Sequence, residues 1–308
     1  MTDDMWWLDG PVVEPTTAKV QEVLQRAARV VIAERSPDGP DSAARARTVV
    51  RGDDIAELAR LLAIVDGGTG DTCRCSGWPT IVVHDVRGDR IATWTVHHRD
   101  GLRGVGSCDA ELRDGPALAA WLAGRGLTGL QELRAEQAVR QAQAEQRRER
   151  WIQAAPPGLS GAAEAVAQRP ATGDWSEGLQ AAEDHLAALL HSHYSDGVER
   201  VGALLAWAGV TARRTGAEGS LWYDTTVREM LLAEPDDLVF AALAVQTVTP
   251  AQLDGATDLF GCAEWRATHA EHLPEPLSAS LIAHIRATGT DVMRRRLEWG
   301  YYGDRDPA

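Results

Sequence analysis

Two pairs of residues in the N-terminal half have the types and spacing of metal ligands. Cys73 and Cys75 form a CxC pair, and His97 and His98 are adjacent at the end of a later β-branched segment. Thiolate and imidazole are the usual donors to zinc, and a catalytic zinc site uses three protein ligands and leaves one position open. The pattern predicts a zinc-like site formed by Cys73, Cys75 and His98, with His97 as the other candidate ligand.

Other interpretations of the same residues stay open. Successive residues of a strand point to opposite faces, so a single ion takes only one of the two histidines unless a bulge intervenes. Without a metal, Cys73 and Cys75 are ordinary loop thiols and His98 is a histidine at the edge of the core, or the two thiols have a redox role. No neighbouring glutamate is placed as a base for a catalytic metal.

The pairing of the strands determines which other residues can join this site. The Asp100-Gly101 pair predicts a two-residue hairpin turn, which would place Cys108 opposite Thr93. The preceding hairpin would place residues 77–80 beside the two histidines and His84 near Thr93. Because a strand rises about 3.3 Å per residue, His84 and Cys108 would then lie at the other end of the sheet.

These hairpins belong to a predicted α+β domain over residues 1–153. Apolar residues at helical spacing predict an N-terminal helix over 17–34. Asp53 predicts the start of a second helix and Pro116 that of a third. Alternating β-branched segments predict a small antiparallel sheet that these helices flank. The predicted strands are 48–51, 79–85, 90–99 and, after the Asp100-Gly101 turn, 102–108.

The rest of the chain is predicted to be helical. Residues 130–153 are rich in Gln, Glu, Arg and Ala, which predicts a largely solvated connecting helix at the end of the first domain. Residues 154–174 are rich in Ala, Gly and Pro, and we interpret them as a linker. Residues 175–308 predict an all-α domain of stacked helical hairpins. The predicted helices are 176–194, 198–209, 224–233, 236–246, 250–260 and 276–298.

Three arginines near the end of the connecting helix, Arg147, Arg148 and Arg150, stand beside Trp151. Acidic residues interrupt them, which argues against a contact with nucleic acid. We therefore interpret the cluster as a charged face of the helix.

The composition excludes several reactions and partners. Lys19 is the only lysine, and it does not follow a glycine, so a phosphate loop with a glycine–lysine pair cannot form. A lysine Schiff base would have to use Lys19, which lies on a plain amphipathic helix. The chain has no asparagine and hence no acceptor for N-glycosylation. A pI near 5.1 argues against nucleic acid or an anionic membrane as the main partner.

The start of the chain and its cysteine content favour a cytoplasmic location. Residues 1–10 are acidic and are not followed by the apolar run of a secretory signal. Four cysteines in 308 residues are too few for a disulfide scaffold. No apolar stretch approaches the ~18 residues of a membrane-spanning helix.

The net charge differs between the two halves of the chain. Residues 1–150 have a net charge of −3, whereas residues 151–308 have 11 basic and 22 acidic side chains, a net of −11. Helical hairpins commonly form binding surfaces. Our first hypothesis is a cytosolic interaction or regulatory protein whose acidic helical half binds a protein partner. A small-molecule ligand and a second copy of the chain are the other partners we consider. The alternative is a metal-dependent enzyme or accessory protein of specialised metabolism with a site at Cys73, Cys75 and His98.

Residues 73–126 resemble a segment of uncharacterised actinobacterial proteins. The resemblance rests on the CxC pair, the two alternating strands, His97-His98 and the sequence ELRDGPALAAWLAGRG. The lack of Asn and near-lack of Lys fit a GC-rich coding sequence, as expected of such a source. No activity comes with this resemblance, so it implies a source and no mechanism.

Overall fold

The computed structural model of the chain describes residues 13–34, 46–70, 72, 75, 77–97, 100–168, 175–213, 221–245, 247–268 and 273–302. The chain forms two compact units, which divide between Ala142 and Gln143. The first unit contains a six-stranded antiparallel sheet with helices, and the second is helical. The predicted fold class is therefore confirmed. None of the helices in the described residues combines the length and apolar character needed to cross a membrane.

The first unit has the strand order β2-β1-β3-β4-β5-β6, and neighbouring strands are antiparallel. Its core consists of apolar side chains of the sheet and of the helices that cover it. Its elements are α1 (Thr17–Gln25), β1 (Arg29–Ala33), β2 (Arg47–Val50), α2 (Asp53–Leu61), β3 (Thr80–His84), β4 (Arg90–His97), β5 (Gly101–Arg103), β6 (Ala110–Glu111) and α3 (Gly115–Ala123).

The N-terminal helix is shorter than the sequence predicts. Helix α1 ends at Gln25, and the predicted last turns of the helix form strand β1 instead. Val30 and Ile32 are buried, whereas Val31 between them is only partly buried, which is the alternation of a strand. β-branched residues fit a pleated sheet better than a helix. The pairing of β1 with β2 and β3 therefore outweighs the helical spacing of these residues.

The hairpin from β4 to β5 has a longer turn than predicted. His97 pairs with Gly101, so Asp100-Gly101 is not the two-residue turn that the sequence predicts. Gly101 packs against the imidazole of its partner: a Cβ there would lie 2.5 Å from Nε2 of His97. The pairing of Cys108 with Thr93 is wrong as well, because β5 ends at Arg103.

The hairpin from β3 to β4 agrees better with its prediction. Thr80 pairs with Thr95, and a Cβ built on Gly77 would lie 3.2 Å from Cβ of His97. Residues 77–80 therefore lie at the end of the sheet where His97 lies. His84 pairs with Arg90, whereas the sequence predicts that it lies near Thr93. His84 is therefore farther along β4 from His97 than predicted.

The second unit is built around the close approach of two helices, α7 and α10. A Cβ on Gly255 of α10 would overlap the carbonyl oxygen of Leu205, and one on Gly209 of α7 would overlap that of Ala251. Its elements, beginning with the helix that contains the division, are α4 (Gly129–Gln153), α5 (Ser160–Ala167), α6 (Trp175–His193), α7 (Gly197–Ala212), a 3-10 turn (Trp222–Asp224), α8 (Thr226–Ala233), α9 (Asp236–Leu243), α10 (Pro250–Phe260), α11 (Ala263–Thr268), α12 (Glu275–Thr288) and α13 (Asp291–Glu298).

The interpretation of residues 154–174 as a linker needs correction. Residues 160–167 form α5, and Leu159, Ala163 and Val166 are buried in the core of the second unit. Alanine is the best helix former, so an alanine-rich stretch can pack as a helix where its composition suggests a flexible connection. The part of the predicted linker from 169 to 174 lies outside the described residues.

Candidate functional site

The structure describes two of the four predicted metal ligands. Cys73 and His98 lie outside the described residues, whereas Cys75 and His97 lie within them. Among the described residues, no three His, Cys, Asp or Glu side chains are grouped as metal ligands. The zinc-like site therefore stays a prediction.

Cys75 and His97 belong to one polar network at the end of the sheet. The buried His97 places Nε2 3.2 Å from Oδ2 of Asp109. Arg103 donates through Nε to Oδ1 of Asp109 at 2.9 Å and through Nη1 to the carbonyl oxygen of Cys75 at 2.7 Å. The guanidinium thus neutralises the carboxylate that faces the imidazole. The sequence gives no sign of Arg103 and Asp109 as part of this network, because their contacts with His97 and Cys75 depend on how the strands pair.

A cavity of about 490 Å³ lies in the second unit and is the candidate site there. The last turns of α4, the C-terminal end of α7, the 3-10 turn and the start of α10 form its walls. The wall from α7 and α10 includes Gly209 and Ala251, which approach each other so closely that neither helix can move inward. Thr249 caps α10 by accepting a hydrogen bond from the Gln252 backbone N at 3.3 Å, which fixes where this wall begins.

Two aromatic residues of the cavity wall have buried polar atoms without a partner. Trp151 and Tyr223 are each 1% exposed, and their rings pack with a centroid distance of 5.0 Å. Trp207 supports them by donating through Nε1 to the carbonyl oxygen of Trp151 at 2.8 Å. Nε1 of Trp151 and the hydroxyl of Tyr223 have no hydrogen-bond partner in the described part of the chain.

The tyrosine hydroxyl of this pair keeps its proton. Burial raises the pKa of Tyr223 to about 12, and the neighbouring Asp224 charge adds to the rise. The side chain is therefore a neutral hydrogen-bond donor throughout the physiological pH range. Together with the indole N–H of Trp151, which can only donate, it suits a ligand with acceptor oxygens.

Two carboxylates of the wall are held by internal ion pairs. Asp224 accepts from Nη2 of Arg147 at 3.0 Å and from the backbone N of Leu221 at 2.8 Å. Asp254 lies 2.6 Å from Nε of Arg213 and 2.7 Å from Nε2 of His284. Both carboxylates are nearly inaccessible to solvent, so their charges are neutralised inside the protein rather than by water.

Arg150 completes the charged part of the wall and differs from the other arginines. Its side chain is exposed, and it makes no ion pair with any residue that the structure describes. Among its described residues, the wall therefore has three guanidinium groups against two carboxylates, a net charge of +1. An unneutralised guanidinium at a cavity favours a ligand with negative charge.

The interpretation of the arginine cluster as a charged helix face is correct for only part of it. Arg147 is 11% exposed because it reaches the buried Asp224, and Trp151 is part of the core. The middle of α4 agrees with the prediction, since Glu136 and Arg140 form an exposed pair at 3.0 Å. A tryptophan in a stretch otherwise rich in charged residues was the signal that this end of the helix is buried.

Comparisons with known proteins find no relative from which a function could be taken. No protein-family model matches the chain, and neither the curated proteins nor the solved structures contain a match. The functional assignment therefore rests on the side chains of the cavity itself.

Proposed function

We propose that this protein binds a small organic molecule in the cavity of its helical unit. The observation that carries the proposal is the pair of buried donors, Trp151 and Tyr223, which line the cavity without a partner among the described residues. A buried polar group without a hydrogen bond costs about 1–3 kcal/mol, and native proteins contain few of them. A bound ligand that supplies acceptors would remove this cost.

The size and lining of the cavity support the same function. Its volume of about 490 Å³ is within the usual range of about 300–1,000 Å³ for small-molecule sites. Val210, Pro250 and Ala251 supply apolar surface, and four of the charged side chains are held in place by ion pairs. Thr211 is the other hydroxyl of the described lining, and it donates to the carbonyl oxygen of Ala208 at 2.9 Å. This arrangement suits binding and offers no nucleophile next to a base.

The two hypotheses from the sequence concern other parts of the molecule. A protein partner for the acidic helical half stays a prediction, and ligand binding in the same half is one way in which such a partner could be regulated. A metal-dependent activity at Cys73, Cys75 and His98 or His97 also stays a prediction. Elemental analysis of the purified protein tests it, and less than about 0.2 zinc or other transition metal per chain would contradict it.

A fragment screen by ligand-detected NMR on the full chain tests the proposed function. We expect hits whose affinity falls about tenfold in Tyr223→Phe, because this variant removes the donor and keeps the ring. The control is Tyr302→Phe, since Tyr302 is also buried in this unit but its hydroxyl already donates to Thr257 O at 2.9 Å. We expect this control to leave ligand affinity unchanged.

The same two variants also separate binding from folding. Without ligand, Tyr223→Phe should be at least as stable as the wild type, because it removes an unpartnered group. Tyr302→Phe should lose about 1 kcal/mol, because it removes a hydrogen bond. The proposal is wrong if no fragment binds, or if the hits bind Tyr223→Phe as tightly as the wild type.

A further inference from the structure

The geometry points to a monocarboxylate with an apolar body as the ligand of this cavity, with its carboxylate paired to Arg150. This inference rests on the proposed binding function and names the chemical class of the ligand. It follows from how the charges of the cavity wall are distributed and from what the remaining wall consists of.

Two of the three arginines in the described wall already form ion pairs with carboxylates of the protein. Nη2 of Arg147 lies 3.0 Å from Asp224, and Nε of Arg213 lies 2.6 Å from Asp254. Both carboxylates are buried, and a buried charge is costly to separate from its partner. These two pairs are therefore fixed parts of the wall, and among the residues that the structure describes, the wall cation without an ion pair is Arg150.

The number of charges limits the ligand to one negative charge. The described residues of the wall have a net charge of +1, so a monoanion neutralises them, whereas a phosphate monoester with about two charges would leave an excess of negative charge. The surrounding half of the chain has a net charge of −11, which opposes any excess of negative charge.

The remaining wall determines the body of the ligand. The α7 and α10 side presents Val210, Pro250 and Ala251, and the opposite side presents the rings of Trp151 and Tyr223. An apolar or aromatic body fills such a space, and an acceptor oxygen on the ligand would accept hydrogen bonds from the two buried donors. A positively charged ligand would meet the two buried donors and the guanidinium of Arg150, so the same groups disfavour amines.

Three probes with one ring system test the inference: 2-naphthoate, 2-naphthamide and 2-naphthyl phosphate. They have one, no and about two negative charges, and their affinities for the full chain are measured by calorimetry. We expect 2-naphthoate to bind at least about tenfold more tightly than either of the others, as is typical of a charge-assisted hydrogen bond.

Two variants assign this preference to one side chain. In Arg150→Gln, the acid should lose its advantage over the amide, while the affinity of 2-naphthamide stays unchanged. The matched control is Arg148→Gln, because Arg148 lies on the same helix but pairs with Glu145 at 2.8 Å and is not part of the cavity wall. The control should keep the full preference for the acid.

The outcomes separate this inference from the proposed function. If 2-naphthamide binds as tightly as 2-naphthoate and Tyr223→Phe weakens both, the cavity binds ligands but the monocarboxylate inference is wrong. Tightest binding of 2-naphthyl phosphate, or an unchanged preference in Arg150→Gln, overturns it too. If none of the three probes binds while fragments bind in the screen, the inference alone is wrong; if no compound binds in either experiment, both proposals are wrong.

Discussion

Replacing Gly255 by alanine is expected to force α7 and α10 apart and destabilise the helical unit. The new Cβ would lie 2.8 Å from the carbonyl carbon of Leu205 and would overlap its oxygen. Ordinary contacts between carbon atoms are about 3.5–4.0 Å, so the two helices would have to separate by roughly 1 Å. The obstructing atoms are backbone, so no side-chain rotation can relieve the overlap.

The size of the effect follows from two opposing terms. Overpacking of a core costs about 1–3 kcal/mol, and a backbone obstruction places Gly255→Ala at the upper end. Alanine is favoured over glycine in a helix by about 1 kcal/mol, which offsets part of this cost. We therefore expect a loss of about 2 kcal/mol in the free energy of unfolding.

Urea denaturation of the full chain, followed by far-UV circular dichroism, measures this loss. The matched control is Gly178→Ala in α6, because no atom lies within 4 Å of a Cβ built there. This variant gains helix propensity without a clash, so its stability should rise by up to about 1 kcal/mol. If Gly255→Ala is as stable as Gly178→Ala, the close approach of α7 and α10 is refuted.

Three further predictions concern ionisable groups. Burial raises the pKa of Tyr302 to about 12, above its value of about 10 in the unfolded chain. Because the buried phenol resists ionisation, the free energy of unfolding is unaffected by this group below pH ~10 and falls by up to about 3 kcal/mol as the pH rises to ~12. Urea titrations from pH 9 to 12 should show a smaller fall in Tyr302→Phe, and an equal fall would contradict the burial of this hydroxyl. Burial also raises the pKa of the Cys262 thiol, so iodoacetamide at pH 8 should alkylate Cys108 before Cys262. Mass spectrometry reads the order, and the reverse order would contradict the burial of Cys262. Asp109→Ala removes the carboxylate that His97 and Arg103 share, so it should lower the free energy of unfolding by about 3 kcal/mol, as measured by urea denaturation. A variant as stable as the wild type would show that the network contributes nothing.

The elements that the sequence predicted well have local signals. The strands on either side of Gly88 and the capped start of α10 each follow from a turn or a capping residue nearby. The helix predicted from Asp53 is present too, although its N-cap is Gly52 and Asp53 is its first residue. Elements without such signals depended on distant partners. The residues around Val30 became a strand because β3 lies beside them, and α5 is buried because the core of the helical unit covers it.

The candidate cavity could not be predicted from the sequence for the same reason. Arg147 meets Asp224 from 77 positions away, and Trp151 packs against Tyr223 across a similar separation. No periodicity connects such residues, since the contact depends on how α4 and the 3-10 turn pack. What the sequence did show was a tryptophan among arginines, and the arginine cluster itself gives the cavity its cation.

The cavity has one wall that tolerates substitution and one that does not. The surface from α7 and α10 depends on Gly209, where any side chain would collide with the carbonyl oxygen of Ala251. Arg150 on the other side is exposed and supports no other residue that the structure describes. If the cavity binds a ligand as proposed, related chains can change that ligand by exchanging Arg150 at little cost in stability, while Gly209 has to be retained. In a designed series, ligand preference can be altered at this one position before any change to the scaffold is needed.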